Sequence, residues 1–223
     1  MEPVSAHRIF HRISGLCLMI FPFMLLAGFL LHPDLFSFRL VRTPDQLVAN
    51  FHHQWMFHVG HLIVSFSIPF ITVAIFFFTL KLTGKGFRYG LLGGALALLG
   101  ATALGLDKGS LCLVLSGFDT LPESQFQQLT PFLQVLIDKK GLLVVNWLFI
   151  LLPLGFILQI VGLIRQELIA KTSGVLTIIG LLLLINPDIE IISTVGTILM
   201  IVGLVPLGWK YYRQPSLAAS GKN

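Results

Sequence analysis

Residues 51–67 read Phe-His-His-Gln-Trp-Met-Phe-His-Val-Gly-His-Leu-Ile-Val-Ser-Phe-Ser, and the chain then stays apolar to Leu80. A polar, histidine-rich start followed by a long apolar run predicts a helix that enters a membrane, spanning about 56–80. Pro69 near its middle fits such a helix, because neighbouring helices can satisfy the carbonyl that a proline frees. Four of the seven histidines, His52, His53, His58 and His61, lie at its mouth. His58 and His61 are three residues apart and share a helix face, which Ser65 extends by one turn.

The rest of the chain has the same character. Of its 223 residues 55% are hydrophobic and 11% charged, with a mean hydropathy of +0.88. Soluble domains carry about 25% charged residues, so the expectation is a polytopic membrane protein forming one domain over 1–223. The net charge of +5 comes from Lys and Arg scattered over short loops, which is not a nucleic-acid signature. Cys17 and Cys112 both fall in apolar runs and give no disulfide framework.

Read in order, the apolar runs predict six transmembrane helices at about 13–31, 56–80, 89–106, 142–163, 173–185 and 191–209. The first follows a basic collar and has no small-residue cleavage site after it, so it reads as a membrane helix and not a removed leader. The third carries Gly90, Gly94, Ala97 and Ala101 at small-xxx-small spacing, which lets helices approach closely, within the chain or with a membrane partner. Between the third and fourth, Pro131 at a first helical position and Gly141 as a stop predict an external amphipathic helix over about 131–140. The turn Asn186-Pro187-Asp188 joins the last two spans.

Six spans place both termini on one side. That side holds Arg8, Arg12, Lys81, Lys85, Arg88, Arg165, Lys171, Lys210, Arg213 and Lys222; the other holds Arg39, Arg42, Lys108, Lys139 and Lys140. The positive-inside rule then puts both termini in the cytoplasm of a bacterial-type inner membrane. His32, His52, His53, His58, His61 and Asp107 fall at the outer face, His7 and His11 at the inner.

Two readings of the histidines follow. Imidazole rings suit the headgroup zone and can simply line helix ends. Alternatively, neutral imidazoles at i, i+3 bind a transition metal, and the metal set is then His53, His58, His61 and Asp107. Asp107 would ligate directly or orient a ligand imidazole.

At the start of the first span, His11-Arg12-Ile13-Ser14-Gly15 resembles the corresponding segment of the cytochrome b subunit of succinate dehydrogenases, and Gly60-His61-Leu62 is similar to that family's haem-ligand segment. The resemblance implies electron transfer, with His58, His61, His11 and Arg12 as cofactor-binding residues and haem b as the alternative to a divalent metal. His58, His61, Ser65 and Asp107 are also the nearest equivalents to the His-Ser-Asp sets of membrane hydrolases of the ceramidase and adiponectin-receptor type.

The expectation is therefore an all-α bundle with an outward-facing His/Asp cluster that binds a metal or haem. The alternatives are an accessory subunit of a larger membrane complex, docking through the span-three stripe and the external helix, and a small transporter or membrane-embedded hydrolase.

Overall fold

The structure is a computed structural model and describes residues 3–185 and 189–213. The turn at 186–188 and Lys222 lie outside the described residues, as does the side chain of His7. Every described secondary-structure element is a helix. In chain order these are α1 (Pro3–Leu30), α2 (Pro44–Phe51), α3 (Trp55–Lys81), α4 (Phe87–Gly105), α5 (Leu111–Phe118), α6 (Glu123–Phe126), α7 (Thr130–Ile137), α8 (Leu151–Arg165), α9 (Lys171–Leu183) and α10 (Glu190–Arg213).

Five helical stretches are long and apolar enough to cross a membrane: Arg8–Leu30, Trp55–Lys81, Gly84–Phe118, Gly141–Arg165 and Glu190–Arg213. α9 has 13 residues, about 20 Å of helix against a hydrocarbon core of ~30 Å. The third stretch outruns its expected end at 106. A π-helical turn at Leu106–Ser110 carries it into α5 without a break. The fourth begins as ten residues of 3-10 helix, Gly141–Ile150, before relaxing into α8. Such a run is uncommonly long for this tighter, stretched form.

The large helices close into a ring. α1 packs on α3, α3 on α4, α4 on α8, α8 on α9, α9 on α10, and α10 back on α1. Each neighbour in sequence is a neighbour in space, and one contact between the last helix and the first shuts the ring. Phe23, Phe66, Phe76, Leu91 and Val202 point outward from it, as a lipid-facing surface requires.

Glycine pairs set the seams, because in lipid helices associate by close packing and not by the hydrophobic effect. A Cβ on Gly15 would sit 2.6 Å from the Gly208 carbonyl oxygen, one on Gly60 2.8 Å from that of Gly28, one on Gly155 2.4 Å from that of Gly93, and one on Gly180 2.4 Å from that of Gly196. The expected small-residue stripe of α4 is part of this scheme. Gly90, Gly94, Ala97 and Ala101 are buried within the chain, Gly90 against Leu82 and Thr79 of the preceding hairpin and Gly94 against Thr79 and Gln159. It is spent on internal packing and leaves no face for a partner. Fully buried Gln159 ties the same seam, its Nε2 donating to the Ile75 carbonyl at 3.1 Å and to Thr79 Oγ1 at 2.9 Å.

One end of the ring carries a cap. Thr43 begins α2 with a capping box, its side chain accepting from the Gln46 amide while the Gln46 side chain accepts from the Thr43 amide, with Pro44 at the first helical position. α2, α6 and α7 then enclose a second small core of Phe51, Phe57, Leu115, Phe126 and Leu133. The external helix expected over about 131–140 is α7. It begins one residue earlier, at Thr130, which stands inside the helix and not at its cap. Gly141 ends the following turn with φ of 61°, a left-handed conformation that glycine adopts without steric cost.

Candidate functional site at the capped end

The capped end gathers His32, His52, His53, His58 and His61 with Asp34, Asp107, Asp119 and Glu190, and divides them into two groups.

The first lies at the rim. α2 ends at Phe51, and the two-histidine turn before α3 folds back on Asp119, the residue that follows α5. His52 Nδ1 donates to Asp119 Oδ1 at 2.6 Å, and the His53 amide donates to the same carboxylate at 3.0 and 3.2 Å. His53 has φ of 57°, a left-handed backbone in which histidine is more frequent than most side chains. Ligand atoms of His52, His53 and Asp119 all lie within 4.8 Å of one another, and among the described residues this is the only trio of His, Cys, Asp or Glu to do so. His58 Nε2 stands 3.6 Å from Asp119 Oδ2 and makes no hydrogen bond among the described residues. Glu123 Oε2 is 3.7 Å from His52 Nε2.

Burial acts to raise the Asp119 pKa, but the hydrogen bonds from the His53 amide and the His52 ring, with the nearby imidazole charges, hold it below its ordinary value. Asp34 behaves alike: burial pushes it up, while His32 and an amide hydrogen bond from Asn50 at 3.1 Å bring it down on balance. Both carboxylates are thus kept as anions beside imidazoles.

The second group lines a cavity of about 220 Å³ beneath the cap. On one wall His32 is hydrogen-bonded through Nδ1 to Asp34, and its Nε2 is 3.6 Å from Glu190 Oε1. On the other, the π turn presents Asp107 and Lys108. Asp107 Oδ1 accepts from Asn146 at 3.0 Å and lies 3.9 Å from Lys139 Nζ, while Lys108 Nζ is 3.6 Å from Oδ2. Short π segments inside α-helices recur where a side chain must be re-aimed at a functional site. His61 lies between the walls, its Nδ1 donating to the Phe57 carbonyl at 2.9 Å and its ring 5.4 Å from that of His32.

Of the expected metal set, the rim therefore holds His53 and His58, and the cavity holds His61 and Asp107. Three residues on a 3.6-residue helix leave about 60° between side chains, so His58 turns to Asp119 while His61 turns to His32. The expected cofactor set is spread wider still. His11 is buried at the other end of the ring, where Lys81 donates to its Nε2 at 3.0 Å, and Arg12 is exposed there. Ser65 stands beside Gly109 on the π turn.

Sequence reasoning missed Asp119 and gave His52 no ligand role. The adjacent histidines just before a span were the available signal; their carboxylate follows 66 residues later with nothing local to mark it. Compared with protein-family models, curated proteins and solved structures, the chain matches none of them.

Proposed function

We propose that this all-helical membrane protein binds a divalent transition metal, zinc-like in its preferences, at the rim trio of His52, His53 and Asp119, with His58 as a fourth ligand. The observation that carries the reading is the convergence of two imidazoles and a carboxylate within 4.8 Å, next to an imidazole nitrogen that lacks a hydrogen bond. Three nitrogens and one oxygen form a donor set suited to tetrahedral zinc. On metal binding the His52–Asp119 hydrogen bond gives way to two metal–ligand bonds, and Glu123 is placed to take up a ring N–H of His52 as an outer acceptor. This narrows the metal-or-haem expectation to an ion, because the histidines converge on a carboxylate and His11 lies at the far end.

In this reading the cap faces outward and both termini are cytoplasmic. The support is the distribution of basic residues, ten on the terminus side against five on the other, with α9 as the sixth crossing that makes the number even. His53→Cys should then react with a membrane-impermeant maleimide in intact cells and Lys85→Cys should not. The reverse pattern would invert the topology.

Zinc titration of chelator-stripped protein in mild detergent tests the site. One ion per chain is expected, with Asp119→Asn or His53→Ala weakening binding at least tenfold. Absence of binding, or unchanged affinity in both variants, would refute it.

A further inference from the structure

The fourth membrane-length stretch is fixed at one end only. Where α8 begins, a Cβ on Gly100 would lie 2.0 Å from the Leu152 backbone nitrogen, so α4 and α8 are locked backbone to backbone. The ten residues before it, Gly-Leu-Leu-Val-Val-Asn-Trp-Leu-Phe-Ile at 141–150, form the 3-10 run. At the far end a Cβ on Gly141 would meet nothing within 4 Å. Gly141 and Lys139 both have left-handed backbone, with φ of 61° and 48°. Side chains at i and i+3 eclipse in a 3-10 helix, and the run is buried in that rhythm. Asn146 and Phe149 are buried, and the two residues before each are exposed.

The apolar pattern does not select this form. The run is apolar on every side apart from Asn146 and the Trp147 indole, so lipid and core accept it in either helical form. Two contacts fix its rotation. Asn146 Nδ2 donates to Asp107 Oδ1 on the π turn at 3.0 Å. Lys139 Nζ lies 4.6 Å from the centre of the Trp147 ring and 3.9 Å from the same Asp107 oxygen. Backbone hydrogen bonds are poorer in a 3-10 helix than in an α-helix, and a hydrogen bond to a carboxylate, shielded from water, offsets part of that difference.

We propose that Gly141–Ile150 is a conformational switch that interconverts between 3-10 and α-helix, latched in the 3-10 form by the Asn146–Asp107 hydrogen bond, and that its α form opens the cavity beneath the cap. An α-helix rises ~1.5 Å and turns ~100° per residue, a 3-10 helix ~2.0 Å and ~120°. Counted back from Leu151, conversion turns Asn146 by about 100° and draws it in by about 2.5 Å, which carries it off Asp107. Trp147 turns by about 80° and leaves the cavity wall that it lines. The Gly141 end is drawn in by about 5 Å, and the turn at 138–141 follows it. None of His52, His53, His58 and Asp119 lies in the run or lines the cavity, so the proposal stands apart from the metal site.

The test is a distance. Spin labels are placed at Leu142→Cys, where the side chain is 88% exposed, and at Arg165→Cys, also exposed. The parent is full-length protein with Cys17→Ser and Cys112→Ser, in nanodiscs. Pulsed electron–electron resonance should show a backbone separation of about 39 Å in the parent and a second population about 4–5 Å shorter in Asn146→Leu. Cys112 is buried and lines the cavity, so in protein carrying Cys17→Ser alone N-ethylmaleimide should label it at least tenfold faster once Asn146→Leu is added. Should that variant fail to fold, the labelled parent in a thin bilayer replaces it. A stretched span is disfavoured there, and dimyristoleoyl lipid should bring out the shorter population that dierucoyl lipid suppresses. One unchanged distance in the variant and in the thin bilayer, or a parent found only at the shorter distance, would overturn the switch. A shorter distance without faster alkylation would overturn the opening.

Discussion

The seams of the ring and the capped end are built from the same helices by opposite means. At the seams, glycines oppose glycines, carbonyls lie where side chains would otherwise stand, and one buried glutamine of α8 donates to both α3 and α4. At the cap, the helices depart from α geometry, through a π turn at Leu106–Ser110 and a 3-10 run at Gly141–Ile150, and charged groups face each other across a cavity. Tight packing fixes the scaffold at the seams. Loosened helical geometry buries charge at the cap. Substitutions at the two regions should therefore fail in different ways, the first in stability and the second in binding.

The largest effect is expected at a seam. A Cβ on Gly155 would lie 2.3 Å from the Ala97 backbone nitrogen, and no side-chain rotation relieves a backbone clash. Gly155→Leu should cost more than the ~3 kcal/mol typical of overpacking and abolish recovery of monodisperse protein in size-exclusion chromatography. Near-normal recovery would show that α4 and α8 can part at little cost. Gln159→Ala removes the amide that donates to the Thr79 hydroxyl and the Ile75 carbonyl and should cost about 2 kcal/mol, measured as a lower midpoint of unfolding in detergent.

Cap substitutions should reverse that pattern. Asp119→Asn is expected to reduce zinc affinity at least tenfold while the unfolding midpoint of the ring, followed by circular dichroism, shifts little. Acid should single out the same region. Asp119 and Asp34 have pKa values lowered on folding, so their contribution is complete above the ordinary carboxylate value of about 3.9. It is lost as pH falls through their folded values. Hydrogen exchange at α2 and α7 should accelerate below about pH 4, while the α4–α8 seam remains protected. Uniform acceleration would mean that cap and ring unfold as one unit. The smallest effect belongs to Asp138, whose pairing with Lys140 and Gln134 is at the surface. Asp138→Asn should leave the unfolding midpoint unchanged.

What the sequence revealed follows from which interactions are local. The long apolar runs marked the five membrane-length helices of the described residues, and the span-three stripe was readable as close packing because its spacing lies within one helix. The other glycine pairs were not, since Gly15 meets Gly208 and Gly28 meets Gly60 only once the ring has closed. The π turn also escaped notice: Leu106–Ser110 has no proline or other breaker, and Asp107 and Lys108 looked like the end of a span. At the site, the histidines were visible as a cluster, but their division was not. It depends on the 60° offset between His58 and His61 and on Asp119 arriving from the far end of another helix.

X-ray absorption at the zinc edge of loaded protein reports the ligands of the rim site themselves. Zinc held by His52, His53, His58 and Asp119 should give a shell of nitrogen and oxygen at ~2.0–2.1 Å with multiple scattering from two or three imidazoles, reduced in His53→Ala. A sulfur shell at ~2.3 Å, or an oxygen-only shell without imidazole scattering, would contradict it.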